Sequence, residues 1–409
     1  MNAYFSYLND LVNEHKSVYK AFPVLHWLNP YEAIEYQQRR DAYMHNFKSN
    51  ALFKGTKPYL NNISPGCRLC GKGLWSCLFI TGKCNASCFY CPALQKEDHL
   101  PTSQGLSFDT PQAYAEYINY FKFKGVSFSG GEPLLVKERT MAYLKELRKS
   151  CNNDLYIWMY TNGLAGSKNI YHELGQAGLN EIRFDVGATG FGLEHIYEAK
   201  DEIDNITIEI PAVPEEKEKL KKLLHQFSDA GVTRLNLHQM RLTPYNAPKL
   251  ARRNYTYIAA ERPVVLESEL AALEIMNYAR EHNLEIGINY CSFFFKFRFQ
   301  KAGFRKILHN RFEPDAINTE CQYIRNLTPE KLEYSNYLIA NQNKLGIAST
   351  QLHLKHKTYD YQKVTALSIN ENHINRKDII MEEPEYPPAD KTGFGVWKFE
   401  YIERGLRNY

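Results

Sequence analysis

The pattern of apolar and polar residues between positions 76 and 240 alternates between two periods. Short apolar runs of the kind found in buried parallel strands occupy residues 76–80, 125–129, 155–160, 181–186, 205–210 and 234–240. Between them lie stretches in which apolar residues recur every three or four positions, as Leu220, Leu224 and Phe227 do. Strands that alternate with helices of this length predict an α/β protein built from parallel β/α units with right-handed crossovers.

The segments on both sides of this alternating region carry different patterns. Residues 1 to about 66 contain two stretches of helical period, so we expect a helical extension that packs on the main domain or takes part in substrate recognition. Farther along the chain, a helical period begins at Leu266, and residues 284–290 predict a seventh strand. The remaining residues, which are rich in Tyr, His and Asn, predict a small α+β extension.

Three cysteines stand in the loop that follows the first strand, in the order Cys84-x3-Cys88-x2-Cys91. Thiolates are soft metal ligands that select iron–sulfur clusters, zinc or Cu(I), and an iron–sulfur cluster is normally held by four of them. Three thiolates in one tight loop leave one coordination position open, as catalytic zinc sites do and structural zinc sites do not. The loop therefore predicts a reactive metal centre.

Polar residues also follow the other predicted strands. The second strand runs into Gly130-Gly131-Glu132-Pro133, the third into Thr161-Asn162-Gly163, and the fourth ends near Asp185. Ligands of parallel α/β sheets and barrels bind at the carboxyl ends of the strands. Two glycines let a ligand approach the backbone, and the Glu132 carboxylate suits an ammonium group. Taken alone, Gly130-Gly131-Glu132-Pro133 and Thr161-Asn162-Gly163 are also compatible with ordinary turns.

The cysteine motif, with an aromatic residue just before Cys91, resembles the signature of the radical S-adenosylmethionine (radical SAM) superfamily. The Gly-Gly-Glu-Pro and Thr-Asn-Gly motifs also resemble elements of that family. The resemblance implies that Cys84, Cys88 and Cys91 hold three irons of a [4Fe-4S] cluster, whose fourth iron chelates S-adenosyl-L-methionine (SAM). It implies reductive cleavage of SAM to a 5'-deoxyadenosyl radical, which takes a hydrogen atom from the substrate.

The same resemblance implies a fold and a set of SAM-binding residues. The six units resemble a partial (β/α)6 TIM-like barrel at 76–245, between a helical N-terminal extension at 1–75 and a small α+β C-terminal extension at 246–409 on the substrate side. The residues expected to bind SAM are Tyr90, Ser129, Gly130, Gly131, Glu132, Pro133, Thr161, Asn162, Asp185, Glu209, His238 and Met240. Asp185 is expected at the ribose and Tyr90 at adenine, whereas His238 is also compatible with a hydrogen-bonded interior histidine.

A second cysteine pair, Cys67-x2-Cys70, precedes the first strand and is flanked by glycines. Such a knuckle is half of a four-ligand metal site, because glycines let the backbone curl its amides toward sulfur. Candidates for the other ligands are Cys77, Cys291 and Cys321. Cys67, Cys70 and Cys291 are therefore a candidate site for a second metal or an auxiliary cluster, and two free thiols are the alternative.

Basic and aromatic residues are interleaved after the seventh strand. Residues 293–299 read Phe-Phe-Phe-Lys-Phe-Arg-Phe, and further basic residues follow at Lys301, Arg305, Lys306 and Arg311. Such a segment can stack on bases and hold phosphates, as in proteins that bind single-stranded nucleic acid. It is also compatible with binding to an acidic peptide or to an electron-donor protein. The pattern most favours an amphipathic helix that has a solvated basic face.

The composition of the chain excludes some classes of protein but does not identify a binding partner. The chain has 409 residues, of which 44% are hydrophobic and 23% charged, and its net charge is +4, which is too weak to indicate a partner. No apolar run reaches the length of a membrane span, and no signal peptide is recognisable, so we expect no membrane association and a cytoplasmic location. Nine cysteines clustered at ligand spacing favour metal binding over a disulfide framework.

The order of these motifs, from Gly-Cys-x-Leu-Cys to a late Tyr-Cys-Ser, resembles a group of relatives of pyruvate formate-lyase activating enzyme. Three hypotheses follow from the sequence. The first is a radical SAM enzyme that modifies a peptide or protein and receives electrons from a partner such as flavodoxin or ferredoxin. The second is a radical SAM enzyme that modifies RNA or a small molecule. The third is a non-enzymatic, zinc-binding interaction module.

Overall fold

A computed structural model describes residues 12–28, 30–104, 106–259 and 262–301, together with five two-residue strands between positions 318 and 365. Cys321, Arg305, Lys306 and Arg311 lie outside the described residues. Apart from the short strands, the predicted α+β extension lies outside them as well.

Strands and helices alternate along most of the described chain. Residues 12–18 are helical. The strands are β1 (His26–Trp27), β2 (Lys57–Leu60), β3 (Trp75–Thr81), β4 (Thr102–Ser103), β5 (Leu106–Phe108), β6 (Gly125–Gly130), β7 (Tyr156–Thr161), β8 (Glu181–Phe184), β9 (Asn205–Pro211), β10 (Arg234–His238), β11 (Thr256–Ile258), β12 (Val264–Val265), β13 (Gly287–Cys291), β14 (Asn318–Thr319), β15 (Gln322–Tyr323), β16 (Ile347–Ala348), β17 (Gln351–Leu352) and β18 (Val364–Thr365).

The α-helices connect these strands. They are α1 (Pro30–His45), α2 (Leu52–Gly55), α3 (Pro65–Gly71), α4 (Pro111–Phe121), α5 (Lys137–Ser150), α6 (Lys168–Gln176), α7 (Glu194–Ala199), α8 (Lys217–Asp229), α9 (Ala247–Leu250), α10 (Leu266–Glu281) and α11 (Phe293–Phe295). Single 3-10 turns cover Lys48–Asn50, Pro133–Val136, Val186–Thr189 and Pro214–Glu216, and a π-helix covers Lys296–Lys301. None of the helices in the described part is long and apolar enough to cross a membrane.

The main sheet confirms the predicted α/β class. Strands β3, β6, β7, β8, β9 and β10 are adjacent in that order and pair in parallel, which is the succession expected of six β/α units. The predicted seventh strand is β13, which pairs in parallel with β10. Strand β2 pairs antiparallel with β13 and β4 pairs antiparallel with β3, so the described sheet is open and forms a partial barrel.

The extensions contribute to the sheet as well. β2 comes from the segment predicted to be helical, and β13 comes from beyond residue 245. The boundaries at 75 and 245 stay a prediction. Because β2 inserts at the edge next to β13, it places Lys57 beside residues that are more than 200 positions away in the chain.

The two faces of the parallel strands differ in chemistry. One face carries fully buried apolar residues such as Leu78, Phe128 and Ile208, which pack against the surrounding helices. Because side chains alternate along a strand, the other face carries the buried residues Arg183 and Asn236 and the Glu209 side chain, which is 7% exposed. The sheet therefore encloses a polar interior that opens toward the carboxyl ends of the strands.

Candidate active site

The cysteine loop follows β3 at the carboxyl end of the parallel strands. The backbone N–H of Cys84 donates to the carbonyl of Gln95 at 3.1 Å, and that of Cys91 to the carbonyl of Cys88 at 3.2 Å. All three cysteines are free thiols and partly exposed. The amide of Asn162, at the end of β7, approaches the Cys84 sulfur at 3.6 Å, and the Ala86 N–H approaches it at 3.4 Å. The loop thus presents soft donors beside the strand ends.

Burial disfavours the thiolate form of the loop cysteines. Burial raises the pKa of the Cys88 thiol to about 11, and the negative charge of Asp185 adds to the shift. Burial also raises the pKa of Cys84 and Cys91. Metals bind thiolates, so a positively charged metal centre has to supply the charge that deprotonates these groups.

The glycines that follow β6 allow a close contact with the same loop. A Cβ atom at Gly131 would lie 1.8 Å from the carbonyl oxygen of Lys83, and one at Gly130 would lie 2.3 Å from that of Thr81. The Gly131 N–H donates to the Thr81 carbonyl at 2.8 Å. The two glycines are therefore needed to seat the start of the cysteine loop on the end of β6.

Glu132 joins two strand ends. Its carboxylate is buried and accepts hydrogen bonds from the Thr161 hydroxyl and the Asn162 N–H, both at 2.7 Å, and from the Leu134 N–H at 3.0 Å. Both carboxylate oxygens are thus engaged within the protein, although the sequence suggested that they would meet an ammonium group. Glu132 holds Asn162 in the position from which it contacts Cys84.

Tyr90 and Asp185 come together next to a cavity. The Tyr90 hydroxyl donates to both oxygens of Asp185, at 2.8 and 3.0 Å. A cavity of about 490 Å³ lies beside this pair, and Cys88, Phe191, Ile210 and Val213 are among the residues that line it. A volume of this size accommodates a small ligand. The cavity therefore places a phenol and one loop cysteine on a single concave surface, and the Asp185 carboxylate is hydrogen-bonded to that phenol.

Glu209 and His238 belong to a polar network inside the barrel. Arg183 donates to Glu209 at 2.6 Å and to Glu181 at 3.0 Å, and it is 2% exposed. His238 Nε2 hydrogen-bonds the second oxygen of Glu209, and the Lys296 ammonium lies 3.0 Å from His238 Nδ1. Burial, together with the charge of Lys296, lowers the pKa of His238 to about 4, so the imidazole is neutral at neutral pH.

Other predicted site residues have different surroundings. Met240 is buried in an apolar cluster with Tyr257 and Val265, and it is not one of the residues that line the cavity. Pro133 is buried in the turn after β6, and Ser129 is half-buried opposite Phe79 of β3. The structure thus groups Tyr90 with Asp185, and Glu132 with Thr161 and Asn162, but it does not bring Met240 to the cavity.

The sequence pattern missed four interior cations: Lys57, Arg183, Arg241 and Lys296. Arg183 could have been recognised from the sequence, because Glu181 and Arg183 are two positions apart in a predicted strand. Their side chains therefore share one face of that strand, where opposite charges can pair. Lys57 and Lys296 gave no such signal, since they reach the interior from segments outside the six β/α units.

The second cysteine set surrounds a lysine. The Lys57 ammonium donates to the Cys291 sulfur at 2.6 Å and lies 4.5 Å from the centroid of the Phe295 ring. Burial alone would lower the pKa of Lys57, but the sulfurs of Cys291, Cys67 and Cys70 raise it. Among the residues that the structure describes, no three Cys, His, Asp or Glu side chains converge on a single metal ion. This includes Cys84, Cys88 and Cys91, which in a cluster would each bind a different iron. A second metal at Cys67, Cys70 and Cys291 stays a prediction.

The basic and aromatic segment is buried at its start. The rings of Phe293, Phe294, Phe295 and Phe299 are each less than a tenth exposed, and Phe295 and Phe299 pack on Phe53. These four rings are therefore not available to stack on the bases of a nucleic acid, although single-strand binding depends on such stacking.

Comparison with known proteins places this site in a family. The sequence profile described as the radical SAM superfamily matches residues 78–189, which contain the cysteine loop, Glu132, Asn162 and Asp185. The chain contains a radical SAM domain at residues 78–189.

Two curated relatives of this radical SAM chain come from Methanocaldococcus jannaschii. A putative glycyl-radical enzyme activating enzyme is 28% identical over 245 residues, which cover 56% of this chain and 64% of the relative. A probable GTP 3',8-cyclase is 34% identical over 106 residues, which cover 25% of this chain and 33% of the relative. The matched parts therefore span less than two thirds of either relative.

Solved structures of the superfamily are similar over part of the radical SAM chain. The crystal structure of SuiB from Streptococcus suis bound to S-adenosylmethionine has a TM-score of 0.37 and 12% sequence identity. The similarity covers 52% of this chain and 49% of SuiB.

The superfamily's cofactors, a [4Fe-4S] cluster and SAM, fit the donor set of the radical SAM site. Cys84, Cys88 and Cys91 supply three free thiols, which as thiolates are the ligands that iron–sulfur clusters take. The contacts from Asn162 and the Ala86 N–H resemble the N–H···S contacts that tune cluster potentials. Tyr90 and Asp185 beside the cavity supply polar groups for a nucleoside.

Replacing Asp185 with Asn should stabilise the fold of the radical SAM chain while weakening SAM binding. Burial raises the pKa of Asp185 to about 6, although the bond from Tyr90 opposes the shift. Because folding raises the pKa of Asp185, the ionised carboxylate lowers the free energy of unfolding, and this loss is complete above about pH 6. Below about pH 4, the pKa of the carboxyl in the unfolded chain, the group is protonated in both states and the loss is absent. Asp185→Asn should therefore raise the free energy of unfolding at pH 8 by about 2 kcal/mol.

This prediction is measured by urea unfolding at pH 8 and at pH 3.5, with SAM affinity determined by equilibrium dialysis. The gain should be present at the higher pH only. A variant that is less stable than the wild type at pH 8 would contradict the assignment of a buried, ionised carboxylate.

Proposed function

We propose that this chain reductively cleaves SAM and removes a hydrogen atom from a peptide or protein substrate. The observation that carries the proposal is the position of the cysteine loop, whose Cys88 and Tyr90 line one cavity while the Tyr90 hydroxyl donates to Asp185. The similarity to a putative activating enzyme supports a protein or peptide as the substrate, because a glycyl-radical enzyme is itself a protein.

The chain's own residues would bind and position the reactants. Cys84, Cys88 and Cys91 would hold the [4Fe-4S] cluster, which when bound supplies the electron that cleaves SAM to methionine and a 5'-deoxyadenosyl radical. Asn162, fixed by Glu132, orients the Cys84 sulfur. Asp185 accepts hydrogen bonds and so suits the hydroxyl groups of a ribose.

The walls of the cavity suit a reactive intermediate. Apolar side chains, including Phe89, Phe191, Ile210 and Val213, line much of it. Such walls limit the access of water and of other hydrogen donors, which protects a reactive species from side reactions. The glycine turn after β6 fixes the loop against the sheet, so that the site is held by backbone contacts.

The proposal includes a reducing partner and a location. The cluster requires one electron from outside, and a flavodoxin or a ferredoxin is the class of protein that we propose as its source. The cytoplasm, which holds such donors and keeps thiols reduced, is the location that we propose.

Isotope transfer tests the substrate class. The reconstituted, reduced protein is incubated with SAM and with either the perdeuterated peptide fraction or the perdeuterated RNA fraction of the source cell. Because hydrogen abstraction moves one atom from the substrate to the nucleoside, deuterium should appear in 5'-deoxyadenosine with the peptide fraction. Deuterium that comes from the RNA fraction alone would overturn the peptide proposal in favour of RNA modification.

A further inference from the structure

Two cations flank one aromatic ring at the carboxyl end of β13. The Arg241 guanidinium carbon lies 5.8 Å from the centroid of the Phe293 ring, and the Lys296 ammonium lies 4.6 Å from the same centroid. Like charges held close together in a partly buried site repel each other. Burial and the charge of Arg262 lower the pKa of Arg241 to about 10, and burial lowers the pKa of Lys296, with Arg241 adding to the shift.

Neither cation has a carboxylate partner among the residues that the structure describes. The guanidinium of Arg241 makes no hydrogen bond or ion pair with any of them, and Lys296 donates only to the neutral His238. Glu209, an interior acid whose charge acts on Lys296, already accepts from Arg183, Asn236 and His238. An arginine has five donors in a planar fork, so this site carries unused donors and an excess of positive charge.

The pair lies next to the candidate reaction site. The segment that begins at Arg241 is tied to the cysteine loop by three hydrogen bonds. The Thr243 hydroxyl donates to the Pro92 carbonyl at 2.9 Å, the Asn246 amide to the Tyr90 carbonyl at 3.1 Å, and the Lys249 ammonium to the Cys88 carbonyl at 3.4 Å. Of the three loop thiols, Cys91 is the one whose charge acts on Arg241.

We infer that Arg241 and Lys296 form an anion site that binds a carboxylate of the peptide substrate beside the cysteine loop. A guanidinium binds a carboxylate through two parallel hydrogen bonds, which fixes orientation as well as charge. The ammonium of Lys296 adds a second positive charge while it keeps its bond to His238. The inference rests on the proposed function, since it specifies which part of the substrate is held near the reacting atoms.

Inorganic phosphate is the first probe of this site. It is titrated into the full chain with its reconstituted cluster, and binding is followed by phosphorus NMR line width. Arg241→Gln and Lys296→Met should each weaken phosphate binding at least about tenfold, because each removes a charge-assisted hydrogen bond. Lys296→Arg keeps the charge and should restore most of the affinity.

Arg234→Gln is the matched control. Arg234 stands at the amino end of β10, the opposite end from Arg241, and its guanidinium is already bonded to Asn62 at 2.8 Å and to Asn205 at 3.1 Å. This variant should bind phosphate as the wild type does. Equal binding by the wild type and all variants would show an adventitious ion only and would overturn the inference.

Competition distinguishes the source of the anion. Tri-glutamate should displace phosphate from the wild type, whereas a short oligouridylate should displace it less well. Better displacement by the oligouridylate would assign the site to a nucleic-acid phosphate and overturn the peptide carboxylate. A loss of SAM affinity in Arg241→Gln as large as its loss of phosphate affinity would assign the pair to the SAM carboxylate, and this too would overturn the inference.

Failure of the proposed function gives a different result. A wild-type protein that forms no 5'-deoxyadenosine refutes SAM cleavage, whereas the binding assays report on Arg241 and Lys296 alone.

Discussion

Replacing Cys88 with Ala should lower the formation of 5'-deoxyadenosine from SAM by at least about a thousandfold. Cys88 is the loop cysteine that borders the cavity, and its thiol is one of three in the proposed cluster site. In the proposed site each of three irons is held by one cysteine. Without Cys88 a second iron would lack a protein ligand, so the cluster should not be retained. The product is measured by chromatography after reaction of the anaerobically reconstituted, dithionite-reduced protein.

Cys151→Ala is the matched control for this experiment. Cys151 is also a free, partly exposed cysteine, but it follows α5 and its sulfur approaches the Ala115 carbonyl at 3.7 Å. Its removal should leave both iron content and product formation as in the wild type. If Cys88→Ala retained a tenth or more of the wild-type product, the assignment of Cys88 as a cluster ligand would be wrong.

Arg183→Met should cost about 3–5 kcal/mol of folding free energy, because it leaves buried carboxylates without their counter-charge. Arg183 contacts Glu181 at 3.0 Å and Glu209 at 2.6 Å, and the side-chain exposure of all three residues is 7% or less. Its guanidinium carbon also lies 4.8 Å from the centroid of a Trp158 ring. The loss is measured as the change in the free energy of urea unfolding at pH 8.

The pH dependence identifies the cause of this loss. Burial alone would raise the pKa of Glu209, but Arg183 and His238 hold it well below its usual range. A lowered carboxyl pKa stabilises the fold above the unfolded value near 4.5, and the contribution is lost as the pH falls toward the folded value. Without Arg183 the buried carboxylates can protonate at low pH, so the variant should be closer to the wild type at pH 4.5 than at pH 8.

An exposed ion pair provides the comparison. Lys124 contacts Asp154 at 3.3 Å, with side-chain exposures of 45% and 61%. Lys124→Met should change the unfolding free energy by less than about 1 kcal/mol, because water and salt screen exposed pairs. An equal loss in the two variants would contradict the account of Arg183 as the counter-charge of the barrel interior.

The positions of the parallel strands could be predicted from the sequence, because a buried parallel strand appears as a short run of apolar residues. Strands β3, β6, β7, β8, β9, β10 and β13 all coincide with such runs. The cysteine loop was recognisable for a related reason, since three ligands in one loop are local in sequence. Both features depend on residues that are close together in the chain.

Contacts between distant segments were not predictable in this way. Lys57 meets Cys291 across 234 positions, and that contact depends on the antiparallel pairing of β2 with β13. Arg241 and Lys296 meet at Phe293 because they follow two neighbouring strands, β10 and β13. The hydrogen bonds from Thr161 and Asn162 to the Glu132 carboxylate could not be predicted from the sequence either, because they depend on the distance between the ends of β6 and β7.

The iron and sulfide content of the anaerobically reconstituted protein, measured with the electron paramagnetic resonance spectrum of its reduced form, tests the central claim most directly. We expect about four irons and four sulfides per chain, and a reduced-cluster signal that changes when SAM is added. Cys88→Ala should lose both. A single tetrahedral metal ion bound without sulfide, or a reduced-cluster signal that SAM leaves unchanged, would contradict the account.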